Sequence, residues 1–242
     1  MMFEVEDLAV ASPATVSRCG MVYMEPTALG TKILIDTWLL KIPPKCTAKK
    51  TFLPGFKKLF DFYIDDMTYF LRKNLKEPVE TCDNNIVQSM CRILDCYLVE
   101  YIDTDLKEVT PEEIEQLESV LEPLFMFALT WSFGCTTDLE GKQKFDRKVR
   151  AMMKDSIYPF PANGYVYDYM FNKEKKEWII WTDTVDKYVC DSKLNYGEIV
   201  VPTFDSIRMK YLKKLLIVNK KHILCPGPTG TGKTVNIMEL MT

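Results

Sequence analysis

The run Gly227-Pro228-Thr229-Gly230-Thr231-Gly232-Lys233-Thr234 constrains this chain more than any other stretch. It meets G-x-x-x-x-G-K-[ST] at every fixed position, the pattern of a loop that cradles phosphates. The residue types follow from the chemistry. Glycines let the backbone turn tightly enough to aim several N–H groups at one anion. Lys233 brings a point charge for the β- and γ-phosphates of ATP or ADP, and the Thr234 hydroxyl suits a Mg2+ ligand. Such a loop needs a strand before it and a helix after it. His222-Ile223-Leu224-Cys225 predicts the strand. Residues 235–241 predict the helix, whose positive N-terminal end would lie under the anion. A glycine-rich turn can match by chance; the two flanks favour a true phosphate loop. Eight residues follow Thr234, too few for a further strand carrying a metal-holding acid or a water-positioning residue. The expectation is a segment of a nucleotide-binding domain, without ATPase activity by itself.

At 242 residues, 47% hydrophobic and 27% charged, the chain can bury one large core or two smaller ones. A net charge of −3 gives no reason to expect nucleic acid as a partner. Lysines gather in residues 45–76 and acids in 95–122, which read as two solvated helix faces. Eight cysteines contain no C-x-x-C pair and stand beside a single histidine, so zinc is not expected. Reduced thiols are expected instead. No apolar run approaches the length of a membrane span.

Taken in order, Ser12-Pro13 starts a short helix, Arg18 occupies its last turn, and Gly20 is placed to end it. Met21-Val22-Tyr23-Met24 predicts a strand closed by Pro26. Arg18 thus sits where a helix meets a sheet edge, and the plain reading is an arginine complementing a helix dipole. Residues 28–154 are helical by period. Ile33 to Leu39 form one helix, stopped by Pro43-Pro44. Phe52 to Leu71 form a second and Ile86 to Tyr101 a third. Thr110-Pro111-Glu112-Glu113 is a capping box, opening a helix that Pro123 should bend and Trp131-Ser132-Phe133-Gly134 should end. Phe145, Val149 and Met152 mark a last helix. Pro159, Pro161 and Gly164 then suggest a boundary near 155–162. Tyr165–Phe171 and Trp178–Trp181 predict a β-hairpin, Ile199–Pro202 another extended piece, and Thr203-Phe204-Asp205 the cap of a helix through Leu216.

These residues together resemble the dynein heavy chain family. Val10-Ala11-Ser12-Pro13-Ala14-Thr15-Val16-Ser17-Arg18-Cys19-Gly20-Met21-Val22-Tyr23 resembles the end of the large subdomain of its second AAA+ module. Trp131–Gly134 with Lys144-Phe145-Asp146 resembles that module's helical small subdomain. Gly164–Tyr169, Trp178, Trp181, Val201-Pro202-Thr203 and the glycine loop resemble the opening of the third module. The fold class implied is α/β plus all-α: 1–27 ends one α/β large subdomain, 28–154 is a helical small subdomain, and 155–242 begins the next α/β P-loop module with a β-hairpin. The resemblance makes Arg18 a catalytic arginine finger reaching the γ-phosphate held by a neighbouring module. It places Val201, Pro202 and Thr203 at the adenine end of the third module's nucleotide. Trp131–Gly134 lacks the neighbouring arginine that many AAA+ small subdomains use to sense nucleotide. The implied parent hydrolyses ATP to move along microtubules. Its partners would be the neighbouring AAA+ modules of the same chain, microtubules, and dynein intermediate and light chains, with no nucleic acid and no membrane. The implied location is cytoskeletal, in a ciliary or flagellar axoneme. Two alternatives stand beside this one: a non-enzymatic helical interaction domain with a structural nucleotide site, and another AAA+ remodelling ATPase.

Overall fold

A computed structural model describes residues 5, 7–22, 29–102, 108–189, 199 and 201–241. The short helix α1 (Pro13–Val16) is capped by Ser12, whose Oγ accepts from the Thr15 N–H at 3.2 Å. It ends at Val16, so Arg18 lies just past it and Gly20 plays no part in stopping it. Met21 and Val22 are exposed and outside any strand; the rest of that expected strand lies outside the described residues.

Next come α2 (Gly30–Leu39), α3 (Pro44–Ala48), α4 (Phe52–Asn74) and α5 (Asp83–Leu98), the last prolonged by a 3-10 turn. Phe52, Phe56, Phe60, Tyr63, Met67 and Leu71 are buried along one face of α4, as their helical spacing requires. Pro44 does not only stop a helix. It opens α3, where its fixed φ suits a first turn and its missing N–H costs nothing.

The Thr110 capping box forms as expected and opens α6 (Pro111–Ser119). The expected bend at Pro123 is instead a break at Val120, with φ −115° and ψ 14°, and α7 (Leu121–Leu129) follows. Breaking three residues early puts Pro123 in a first turn, where no backbone donor is missed. Trp131–Gly134 does not end α7 cleanly either. It continues as a π turn over Thr130–Gly134, buried throughout. The hydroxyls of Thr130 and Ser132 donate to the carbonyls of Met126 and Ala128 at 2.8 and 2.7 Å, taking up acceptors in the shifted register. Gly134 is required there: a Cβ would stand 2.5 Å from the Phe145 ring and 2.6 Å from the Tyr167 hydroxyl. α8 (Leu139–Met152) closes the helical part.

The hairpin is β1 (Tyr169–Asn172) against β2 (Glu177–Ile180), antiparallel with Tyr169 opposite Ile180. Its expected first residues, Val166–Asp168, are a 3-10 turn. α9 (Phe204–Val218) and α10 (Lys233–Met241) complete the described elements. One apolar core runs from α2 to α9. Phe127 and Trp131 of the helical part meet Trp181 and Tyr211 of the later part, with ring centroids 5.2–6.3 Å apart. The lysine-rich and acid-rich stretches also meet: Lys45 pairs with Glu108, and Lys49 with Glu115 and Glu118. These pairs are largely solvated and add little stability.

Cys46, Cys91 and Cys96 are free and buried, and burial pushes the Cys46 and Cys96 thiols up to about 11 and Cys91 further. A thiol held protonated is a poor nucleophile. Iodoacetamide at neutral pH is therefore expected to label the exposed Cys19, Cys82 and Cys225 first, ahead of Cys135, an exposed residue whose thiol burial pushes up to about 11, read by peptide mass mapping. Early labelling of Cys91 would show that its helix is not packed as described.

Candidate functional site

The glycine loop leads directly into α10, whose first residue is Lys233. Gly230 and Gly232 adopt φ of 81° and 74°, in the left-handed region that a side chain resists. Residues 227–231 are exposed, so the concave side of the loop is open. The Lys233 ammonium folds back over the loop. It donates to the Gly227 carbonyl at 2.7 Å and to that of Pro228, while Thr231 Oγ1 donates to Pro228 at 2.9 Å. No carboxylate among the described residues pairs with Lys233. Its described partners are two loop carbonyls and, at 3.4 Å, the Thr231 hydroxyl, neutral acceptors weaker than a phosphate oxygen.

The loop is braced from behind. The Asn236 side-chain amide donates to the Gly232 carbonyl at 2.9 Å, and the Lys213 ammonium of α9 donates to the Asn236 carbonyl, also at 2.9 Å. The turn just past α9 is tied to the helical part: Lys221 pairs with Asp95 at 2.6 Å, and Asp95 accepts from the Trp38 indole at 2.7 Å. The sequence reading did not single out Lys213 or Asn236. Asn236, two residues past Thr234, was the only local signal available.

The expected strand before the loop is corrected by the structure. Residues 222–225 form no ladder, and Leu224 is 88% exposed. A strand exists only where a neighbour pairs with it, and no described segment runs beside this one. Thr203 caps α9 through a reciprocal pair with Ser206, the Thr203 Oγ1 accepting from the Ser206 N–H at 3.2 Å. Its hydroxyl is thereby committed, while Val201 beside it is 57% exposed. Ile199 and Val201 lie outside any strand, and Val200 falls outside the described residues.

Arg18 is exposed on the stub after α1, and no described side chain bonds to it. Its one described hydrogen bond is through the backbone N–H, to the Thr15 carbonyl at 3.2 Å. An arginine is nonetheless placed over Trp131, at 5.7 Å from its ring. It is Arg208 of α9, distant in sequence from the Trp131 segment. A second arginine missed at the sequence level, Arg150, donates to Asp146, Pro161 and Gly164, fastening α8 to the segment that follows it.

A helical lid that shares its core with a hairpin and a helix, followed by an exposed glycine loop that opens another helix, defines a piece of a AAA-type P-loop protein. Residues 56–183 match the model of the dynein heavy chain AAA lid domain, and residues 188–242 that of the P-loop containing dynein motor region. The chain is 38% identical to dynein axonemal heavy chain 1 of Homo sapiens, over 99% of this chain and 6% of that relative. It is 34% identical to dynein axonemal heavy chain 2 of Homo sapiens, over 97% of this chain and 5% of the relative. With dynein axonemal heavy chain 12 of Mus musculus it is 34% identical, over 99% of this chain and 8% of the relative. The chain belongs to the dynein heavy chain family, axonemal type, and is a segment of the motor's AAA ring. It spans less than a tenth of the length of these relatives. No described helix is long and apolar enough to cross a membrane.

Proposed function

We propose that Gly227–Thr234 holds the phosphates of ATP or ADP at the third module of a dynein ring. The observation that carries this is the open glycine loop at the start of α10, with a lysine ammonium lying on loop carbonyls and, among the described residues, on no acid. On binding, Lys233 exchanges those carbonyls for phosphate oxygens, a charge-assisted and stronger pairing. The Thr234 hydroxyl, exposed at the first turn of α10, holds Mg2+, which would neutralise charge between the phosphates. Val201 and Pro202 face the adenine, with Thr203 supporting them through the cap its hydroxyl oxygen makes on α9. Residues 1–27, 28–154 and 155–242 are then the end of the second module's large subdomain, its lid, and the start of the third module. Arg18 is a finger acting on the nucleotide of a neighbouring module. The whole heavy chain couples ATP hydrolysis to movement along axonemal microtubules, with intermediate and light chains as partners.

The test is Lys233→Ala in the intact heavy chain, titrated with a fluorescent ADP analogue. One class of bound nucleotide is expected to weaken by about tenfold or more, since a charge-assisted contact is removed while the backbone cradle stays. Superimposable wild-type and variant titrations would remove the loop from the list of nucleotide sites.

A further inference from the structure

We propose that Lys213 is a positioning residue for the phosphate loop, reaching it through Asn236; the proposal rests on the nucleotide-site reading above. Lys213 is 9% exposed, an unusual place for a lysine. Its described partner is a backbone carbonyl, that of Asn236 at 2.9 Å. Partly burying an ammonium against a neutral acceptor costs stability, because among the described residues no opposite charge replaces the lost hydration. A methionine or leucine would fill the same space on α9 without that cost, so packing alone does not explain the residue. What the ammonium does is grip the first turn of α10 from α9.

The grip continues into the loop. Asn236 donates its side-chain amide to the Gly232 carbonyl at 2.9 Å, and its backbone N–H to the same oxygen at 3.0 Å. Gly232 has φ 74° and directly precedes Lys233, so its peptide orientation sets where the Lys233 side chain begins. Holding both lone pairs of the Gly232 carbonyl fixes that peptide. Holding the Asn236 carbonyl fixes the turn from which Asn236 reaches back. The turn after α9, whose Lys221 N–H donates to the Leu216 carbonyl at 2.8 Å, is anchored through the Lys221 ammonium to Asp95, so Lys213 acts from a strut whose end is fixed to the lid. Preorganised donors bind an anion without reordering cost, and loosening the brace restores that cost.

The experiment is titration of the intact heavy chain with the same fluorescent ADP analogue, in Lys213→Met, Lys213→Arg, Asn236→Ala and Lys233→Ala. Lys213→Met is expected to weaken the component lost in Lys233→Ala by about tenfold, the effect of one hydrogen bond from a charged group, and Asn236→Ala, which removes a neutral amide bond, by about fivefold. The double variant is expected to be no worse than the worse single one, because both break one relay. Lys213→Arg keeps a buried cation on the carbonyl and is expected to restore most of the affinity. A Lys213→Met titration like wild type, beside a lost component in Lys233→Ala, overturns the positioning role and leaves the nucleotide site standing. So does weakening by Lys213→Met that Asn236→Ala does not share. No difference between wild type and Lys233→Ala overturns the nucleotide site and the brace together.

Discussion

In the intact heavy chain, Arg18→Lys and Arg18→Ala are both expected to cut steady-state ATPase strongly, with nucleotide affinity and thermal stability little changed. Arginine fingers contribute roughly 10³–10⁵ in rate in the best-studied phosphoryl transfers. The structure sharpens the contrast with the plain reading of Arg18 as a helix-dipole partner. α1 is four residues long, has no basic residue in its last turn, and ends before Arg18. So short a helix offers little dipole, and Arg18 is bonded to none of its carbonyls by side chain. Dipole terms are below about 1 kcal/mol even in longer helices. A guanidinium kept exposed, without a described partner, is free to meet an anion outside this segment. Lysine retains the charge but not the planar fork that spans two phosphate oxygens, so it separates the two readings. Because the finger acts on charge that develops during transfer, ground-state binding should survive. Near-normal turnover in Arg18→Lys would end the finger proposal.

The lid was legible in sequence because its signals are local. The α4 stripe repeats at helical spacing over 23 residues, and the Thr110 box names its own helix start. The glycine loop was legible because its chemistry dictates residue types at fixed offsets. What failed depended on contacts distant in sequence. A strand over 222–225 needs a neighbour that the local sequence cannot supply. The π turn at Thr130–Gly134 reflects Trp131 meeting Tyr167 from a later segment, with Gly134 kept bare beneath the Phe145 ring and the Tyr167 hydroxyl. The break at Val120 rather than Pro123 shows a proline choosing the first turn over a kink. Lys213 escaped notice for the same reason. On a helical wheel it is one lysine among several on α9, and only the position of α10 makes it buried.

Asp146→Ala is expected to loosen the junction between the lid and the segment after it by about 3 kcal/mol, the range for breaking a buried ion pair from one side. Asp146 is 7% exposed and its carboxylate does three things. Both oxygens accept from Arg150 Nε, at 3.0 and 3.1 Å, and Oδ1 also accepts from the Val166 N–H at 2.8 Å. Arg150 in turn donates to the carbonyls of Pro161 and Gly164, so one carboxylate orients the guanidinium that ties down the turn after α8. Alanine leaves the Val166 amide buried without an acceptor and the guanidinium without a counter-charge. Arg150 is partly exposed, so water recovers some of the loss, which sets the effect at the lower end of the range. Asp146→Asn keeps an acceptor for Val166 and loses only the charge, and about 1–2 kcal/mol is expected for it. By contrast, Lys144→Ala removes a solvated pair with Glu140 and should cost less than about 1 kcal/mol. The measurement is hydrogen exchange of the peptide containing Val166 in the intact heavy chain. About two decades faster exchange is expected in Asp146→Ala, with peptides of α4 unchanged. Equal protection in Asp146→Ala and Lys144→Ala would show that the aromatic core alone holds the junction.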